Sequence, residues 1–393
     1  MSFAPLAGIR VVDLTSSLAG PTCTEILGGL GAEVVKVEHP GRGDEARAWG
    51  PAFFDGGSVM FFAANRSKRS LALDFKDERG REALLKLVDG ADVFVQSLRT
   101  GAAERLGLGC DALRARNERL VYCSIRAFGK LGPLAGEPGY DPLMQAFAGL
   151  MSITGEADRP GVRVGASVID IGTGVWAALG IVGALLERAT TGRGRDVGVA
   201  LYDTALSLVG YQLTSVLRTG VVPGRHGTAF PLIAPYEVFA TSDGELMIAA
   251  ANDRLFRLLC ERLGCPELAD DERFRTNPDR LVNRGLLLPE IRSRIGAHTS
   301  AHWLEALAGI PVASVQNLAE VGAHPETRAN GMLQDVDGIE AVASPLQVDG
   351  ERFSHRLPPP TLGEHSAEVL RELGYADDDI AALVQGGIVG SSS

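Results

Sequence analysis

The sequence predicts an α/β protein in which a doubly wound large domain is joined to a smaller α+β domain. Two observations carry that prediction. The first is a strand, helix, strand unit within about thirty residues of the start, the repeat from which parallel sheets are built. The second is a change after residue 225 to alternating apolar segments joined by a tight turn, a hairpin pattern foreign to a parallel sheet.

Residues 9–14 (Ile-Arg-Val-Val-Asp-Leu) read as a short buried strand. Pro21 suits the first turn of a helix running to Leu30, because proline has no N–H to lose there. Gly31 stands where a helix-ending glycine belongs, and residues 33–38 (Glu-Val-Val-Lys-Val-Glu) form a second strand. Helical periodicity follows over 77–88, strands over 91–95 and 120–124, then helices over 142–150 and 174–188. Residues 1–200 therefore make a Rossmann-like domain. The string Gly28-Gly29-Leu-Gly31 closes a helix, whereas a phosphate-cradling loop must open one, so a dinucleotide site is excluded there. A helix over 202–217 leads through the turn Gly220-Val-Val-Pro-Gly224, giving a linker at 201–225. The small domain, 226–325, holds a hairpin around Val238 and 246–250 across Ser242-Asp-Gly244, then helices near 253–263, 281–295 and 301–307. Residues 326–393 are a proline-rich linker (Pro345, Pro358, Pro359, Pro360) and a return to the large domain through short helices over 364–373 and 377–384.

With 45% hydrophobic and 22% charged residues among 393, the composition is that of a globular protein with real cores. A net charge of -11 disfavours nucleic acid and anionic membrane as partners. The run Arg66-Ser-Lys68-Arg69, with Lys76 nearby, reads as a solvated face or as a local patch for an anionic substrate. Cys23, Cys110, Cys123, Cys260 and Cys265 show no zinc spacing, and the pair His298 and His302 lacks a third ligand, so no metal is expected. Unpaired cysteines, a start without a signal-peptide pattern and an apolar run of only 175–186 point to a cytoplasmic protein outside the membrane. A serine elbow and a P-loop are both absent.

Chemistry centres on Gly165-Ala-Ser-Val-Ile-Asp170-Ile-Gly172-Thr-Gly174, directly before an apolar helix. Asp170 there is either an N-terminal cap or a nucleophile. The glycines would let a bulky substrate approach the backbone. Arg193 and Arg195 in Thr191-Gly-Arg-Gly-Arg read as helix-end cations or phosphate ligands, and Asp141 reads as the cap of the helix from Pro142.

Nine motifs in order resemble the class III coenzyme A transferases, the formyl-CoA:oxalate and carnitine-type group. They include Leu6-x-Gly-Ile-Arg-Val-Val-Asp13-Leu, Asn65-Arg-x-Lys68-Arg-Ser70, Pro138-Gly-Tyr140-Asp141, Asp170-x-x-Thr-Gly174 and Leu362-Gly-Glu-His365. The resemblance implies that Asp170 is the catalytic nucleophile, transferring CoA from an acyl-CoA donor to a small carboxylic acid through a covalent aspartyl-CoA thioester. It implies CoA contacts at His39, Leu73, Lys76, Ser97, Leu98, Arg105, Tyr140 and Asp141. It also implies an interlocked homodimer, with coenzyme A as a substrate and no redox cofactor. The family's Glu-Asn-Phe-Arg-Pro-Gly reads Gln96-Ser97-Leu98-Arg99-Thr100-Gly101 here, its basic residue is His39, and its glycine lid is replaced by Gly227-Thr-Ala-Phe230-Pro231. Two alternatives stand beside this reading. A 2-methylacyl-CoA racemase of similar fold needs a histidine before the helix, and none lies between His39 and His226. A non-catalytic acyl-CoA-binding protein would have no use for Asp170.

Overall fold

The computed structural model describes residues 3–54, 57–353 and 355–390. The chain forms two compact units, one of Met1–Leu150, Val164–Gly220 and Arg328–Ser393, the other of Met151–Arg163 and Val221–Thr327. The smaller unit thus takes in the segment just before Asp170, which the sequence reading leaves in the large domain.

Six parallel strands build the large unit: β1 (Arg10–Leu14), β2 (Glu33–Glu38), β3 (Lys68–Leu73), β4 (Val93–Gln96), β5 (Val121–Arg126) and β6 (Asp196–Ala200). The connecting helices are α1 (Ala19–Gly29), α2 (Glu78–Asp89), the short α3 (Ala102–Arg105), α4 (Asp141–Phe147), α5 (Val168–Thr191) and α6 (Leu201–Leu208). Strands covered on both faces read as continuous apolar runs, which is why the valines of β1 and β2 were legible. One face buries Val12, Val35, Leu71 and Phe94 against Leu84 and Val88 of α2. The other buries Val11, Val34, Val93 and Val121 against Leu27 of α1 and Ile169, Ala177 and Ile181 of α5.

Helix α5 has 24 residues, twice the apolar run 175–186, because residues 168–174, with Gly172, Thr173 and Gly174, extend it toward the N-terminus and residues 187–191 toward the C-terminus. By length and composition it could cross a membrane. That corrects the argument from a short run; in this structure its inner side packs on α1 and the sheet. The glycines before the run also serve packing. A Cβ on Gly174 would lie 2.7 Å from the Ala19 carbonyl, and one on Gly172 would lie 3.1 Å from Thr204. Only at Gly165 is the space open as a substrate approach would require. The helix predicted over 202–217 is two, α6 and a second from Gly210 to Thr219, broken at Val209.

In the small unit, β7 (Tyr236–Ala240), β8 (Glu245–Ala249) and β9 (Val312–Ser314) form an antiparallel sheet in the order β9-β8-β7. Phe239, Leu246 and Ile248 bury one face against Phe256 and Leu259 of α7 (Asp253–Arg262) and Ile291 of α8 (Arg284–Ile295). The C-terminal return supplies α9 (Ser366–Glu372), α10 (Asp377–Gln385) and β10 (Val389–Gly390), which pairs antiparallel with β3. The large sheet therefore runs β10-β3-β2-β1-β4-β5-β6.

The basic run of the sequence is neither a solvated face nor a free patch. Lys68 opens β3 fully buried, with Nζ 3.1 Å from Asp13 Oδ2 and donating to Asn65 Oδ1 and the Pro21 carbonyl. Lys36, equally buried, pairs with Asp44 at 2.8 Å and donates to the Thr15 carbonyl. Burial alone would raise the Asp13 carboxyl; Lys68, Lys36 and the Thr15 and Thr24 hydroxyls outweigh it and hold the group far below the usual carboxylate range. Removing one partner of such a pair leaves an uncompensated buried charge. Lys68→Met is therefore expected to cost about 3–5 kcal/mol in denaturant unfolding. A loss below about 1 kcal/mol would show that the lattice relaxes around the gap.

Candidate active site

The order of the large sheet reverses between β1, from which the chain proceeds to β2, and β4, from which it proceeds to β5. In open α/β sheets ligands settle in the crevice beyond the strand ends at such a reversal. Here two loops meet there. Ser16 N–H donates to Ser97 Oγ at 3.1 Å, and Leu98 N–H is fixed by Gln96 Oε1 at 2.8 Å. Ser17, held at φ 69, donates its hydroxyl to Glu45, and the Tyr140 hydroxyl reaches the same carboxylate at 3.4 Å. Tyr140 is half exposed and meets Trp49 edge-on.

Tyr140 leads directly into α4, and the side chain of Asp141 departs from its expected role. It does not cap its own helix, whose N-cap residue is Tyr140. Its Oδ2 instead accepts the backbone N–H groups of Ile169 and Asp170, at 2.8 and 3.2 Å, in the first turn of α5. Its Oδ1 accepts from Gln145 Nε2 at 2.6 Å. Asp170 consequently is no cap either. It lies inside the first turn, behind an N-cap position, Ser167, that makes no side-chain bond. With the capping role taken by Asp141, the Asp170 carboxylate makes no hydrogen bond needed to finish the helix.

Asp170 is partly buried, and burial first, then the Asp141 charge, raise its carboxyl to about 7. Both are desolvation and like-charge effects of the kind that poise functional carboxyls. The other residues carried over by resemblance fall into two groups. His39, Lys76, Ser97 and Leu98 each follow closely on the carboxyl end of a parallel strand, β2, β3 or β4, and Arg105 ends α3 just beyond β4. Lys76 and Arg105 are exposed, and His39 is half-buried with Nδ1 accepting from Gly41 N–H. Leu73 is different: it is wholly buried in the core and offers no side-chain surface to a ligand. Arg195 pairs with Glu187 of α5, in keeping with a helix-end cation. Gln145 and Glu45 belong to none of the sequence motifs. The i, i+4 spacing of Asp141 and Gln145 is a signal for the first, and nothing in the sequence marks the second.

The carboxyl of Asp170 has a stability signature. Its folded value lies above the ordinary 3.8, so the folded state gains from the protonated form below that value and loses this gain as pH rises to about 7. A shift of this size corresponds to at most about 4 kcal/mol. Asp170→Asn is thus expected to match the wild type in melting temperature only below about pH 4, and to exceed it by a margin that grows as pH rises to about 7 and is constant above. A difference independent of pH would contradict the raised carboxyl.

The sequence profile described as CoA-transferase family III matches residues 6–366. An acetyl-CoA:oxalate CoA-transferase of Acetobacter aceti is 39% identical, the match covering 94% of this chain and 95% of that one. A succinyl-CoA:glutarate CoA-transferase of Mus musculus is 36% identical over 99% of this chain and 91% of its own length. Among solved structures, a CAIB/BAIF family protein from Brucella suis superposes with a TM-score of 0.86 at 39% identity, covering 94% of this chain and 99% of that one.

Proposed function

This chain belongs to CoA-transferase family III, and we propose that it moves CoA between an acyl-CoA and a carboxylic acid through a covalent thioester on Asp170. The observation that carries the reading is the placement of Asp170. It is a partly buried carboxylate in the first turn of α5, released from capping by Asp141 and pushed up by burial and by that neighbour.

Asp170 attacks the thioester carbonyl of the donor and expels the CoA thiolate, leaving a mixed anhydride. The thiolate attacks the aspartyl carbonyl, which frees the donor acid and leaves CoA on Asp170. The acceptor carboxylate then attacks that thioester, forming a second anhydride with Asp170 and releasing the thiolate again. Attack of the thiolate on the acceptor carbonyl yields the new acyl-CoA and regenerates the Asp170 carboxylate. No net proton is taken up, so a separate general base is not required. Splitting one difficult exchange into such stages is the gain of nucleophilic catalysis. His39, Lys76, Ser97, Leu98, Arg105 and Tyr140 supply donors and apolar surface for CoA at the strand ends. Racemisation would need a further base near Asp170, and the nearby Asp141 has both oxygens engaged by N–H donors that hold it in place.

The relatives' names point to dicarboxylic acids such as oxalate and glutarate as the acceptor class. A second copy of the chain would cover the outer face of α5, where Ile171, Val175, Trp176, Leu179 and Leu186 lie exposed along one helical stripe.

Asp170→Ala is expected to lower transfer by at least about 10³-fold, in line with loss of a covalent nucleophile, while CoA binding measured by calorimetry survives. Mass spectrometry of enzyme incubated with acyl-CoA should place the adduct, trapped by hydroxylamine, on Asp170; an adduct elsewhere overturns the reading. In the free enzyme, kcat/KM should rise with pH and level off above about 7, because the attacking carboxylate must be ionised.

A further inference from the structure

The side chain that holds Asp141 in place is Gln145, one turn further along α4 and completely buried. Its two ends face chemically different partners. Oε1 accepts the Val164 N–H at 2.8 Å, and Nε2 donates to Asp141 Oδ1 at 2.6 Å. That arrangement fixes the orientation of the amide, since an N–H lies at one end and a carboxylate at the other. It also divides the labour of the Asp141 carboxylate. With Oδ1 held by Gln145, Oδ2 is turned to the Ile169 and Asp170 N–H groups.

We propose that Gln145 is a positioning residue for CoA transfer: its amide clamps Asp141 between the Val164 backbone and the first turn of α5, and thereby sets the direction of the Asp170 carboxylate. The proposal rests on Asp170 as the nucleophile. A clamp is needed because the group in contact with the start of α5 is itself a free-ended side chain. Rotation of Asp141 by one rotamer would leave the Ile169 and Asp170 N–H groups without their acceptor and move the charge that faces Asp170. Among the described residues, Asp141 on α4 is the charged group acting on Asp170, so its position sets the field at the nucleophile. The amide is chemically specific. A carboxylate at 145 would still accept from Val164 but would place oxygen against oxygen at Asp141. A thioether would fill the volume and bond to neither.

Three variants test this with the full-length enzyme and an acyl-CoA donor paired with a dicarboxylate acceptor. Gln145→Met and Gln145→Glu are each expected to lower kcat by about 10- to 100-fold with KM for the acyl-CoA changed less than about threefold, the pattern of a lost near-attack geometry. In Gln145→Glu the acid limb of kcat/KM should also move to higher pH, since a second charge joins Asp141. The double variant Asp141→Asn with Gln145→Glu restores a donor facing an acceptor across the clamp and keeps the total charge. It should regain at least about tenfold of the kcat lost in Gln145→Glu, a recovery that a purely structural role would not give. Melting curves run alongside separate folding from chemistry, and the comparison of Gln145→Glu with the double variant stands even if Gln145→Met fails to fold. Wild-type kcat in Gln145→Glu, or no recovery in the double variant, overturns the clamp. Activity in Asp170→Asn, or an adduct on another residue, instead overturns the nucleophile itself, whatever the Gln145 variants do.

Discussion

The N-terminus of α5 is the constraint from which the site follows. A helix of 24 residues begins with backbone N–H groups that have no partner within the helix, and Ser167 offers no side-chain cap. The acceptor is borrowed from another element, the Asp141 carboxylate at the head of α4. That arrangement draws α4 onto the start of α5. It also places a second carboxylate against Asp170 and leaves Asp170 free of the task its position in the chain suggests. Burial of Asp141 to 1% exposure keeps water from competing for the same N–H groups.

The rest of the large unit serves to hold that junction at the end of the sheet. Asp13, Lys36, Asp44 and Lys68 form a buried ion lattice where the loops leave β1 and β2 and where β3 begins. Lys36 reaches the Thr15 carbonyl, and Asp44 accepts the Ser17 N–H, so the loop after β1 is tied down by charge-assisted bonds at two points. Ser17 keeps its positive φ in consequence, and its hydroxyl and Tyr140 converge on Glu45. A well-packed apolar core could match such a lattice in stability. It would not fix the course of a polar loop at the crevice.

The parts of this fold that read directly from the sequence are those whose pattern is local. β1 and β2 show as valine runs, the glycine at φ 109 after α1 as Gly31, and the hairpin of β7 and β8 as alternation around Asp243-Gly244. β3 was hidden because Lys68 and Arg69 break its apolar run, and only the distant Asp13 makes a buried lysine acceptable there. The true start of α5 was hidden for the same reason: its cap lies 29 residues away, at Asp141, so the helix seemed to begin at Gly174. A nucleophilic Asp170 is what the order of motifs implies, since spacing alone leaves cap and nucleophile both open. Gln145 bonds across 19 residues to Val164, and Glu45 across 95 to Tyr140, distances over which a sequence carries no periodic sign.

The pairing of Asp141 with Asp170 bears on the reaction as well as on the fold. Burial first, and then the Asp141 charge, oppose ionisation of Asp170 and raise its carboxyl. On the proposed path every covalent stage neutralises Asp170, as anhydride or as thioester, while Asp141 stays bound to its three donors. Acylation therefore relieves the repulsion that the resting enzyme carries, and release of the product restores it. A carboxylate poised in this way is less well solvated than one in water and gains more on bonding to carbon. The same neighbour that completes the helix thus narrows the gap between resting enzyme and covalent intermediate, which an exchange between two acids of similar energy must cross in both directions.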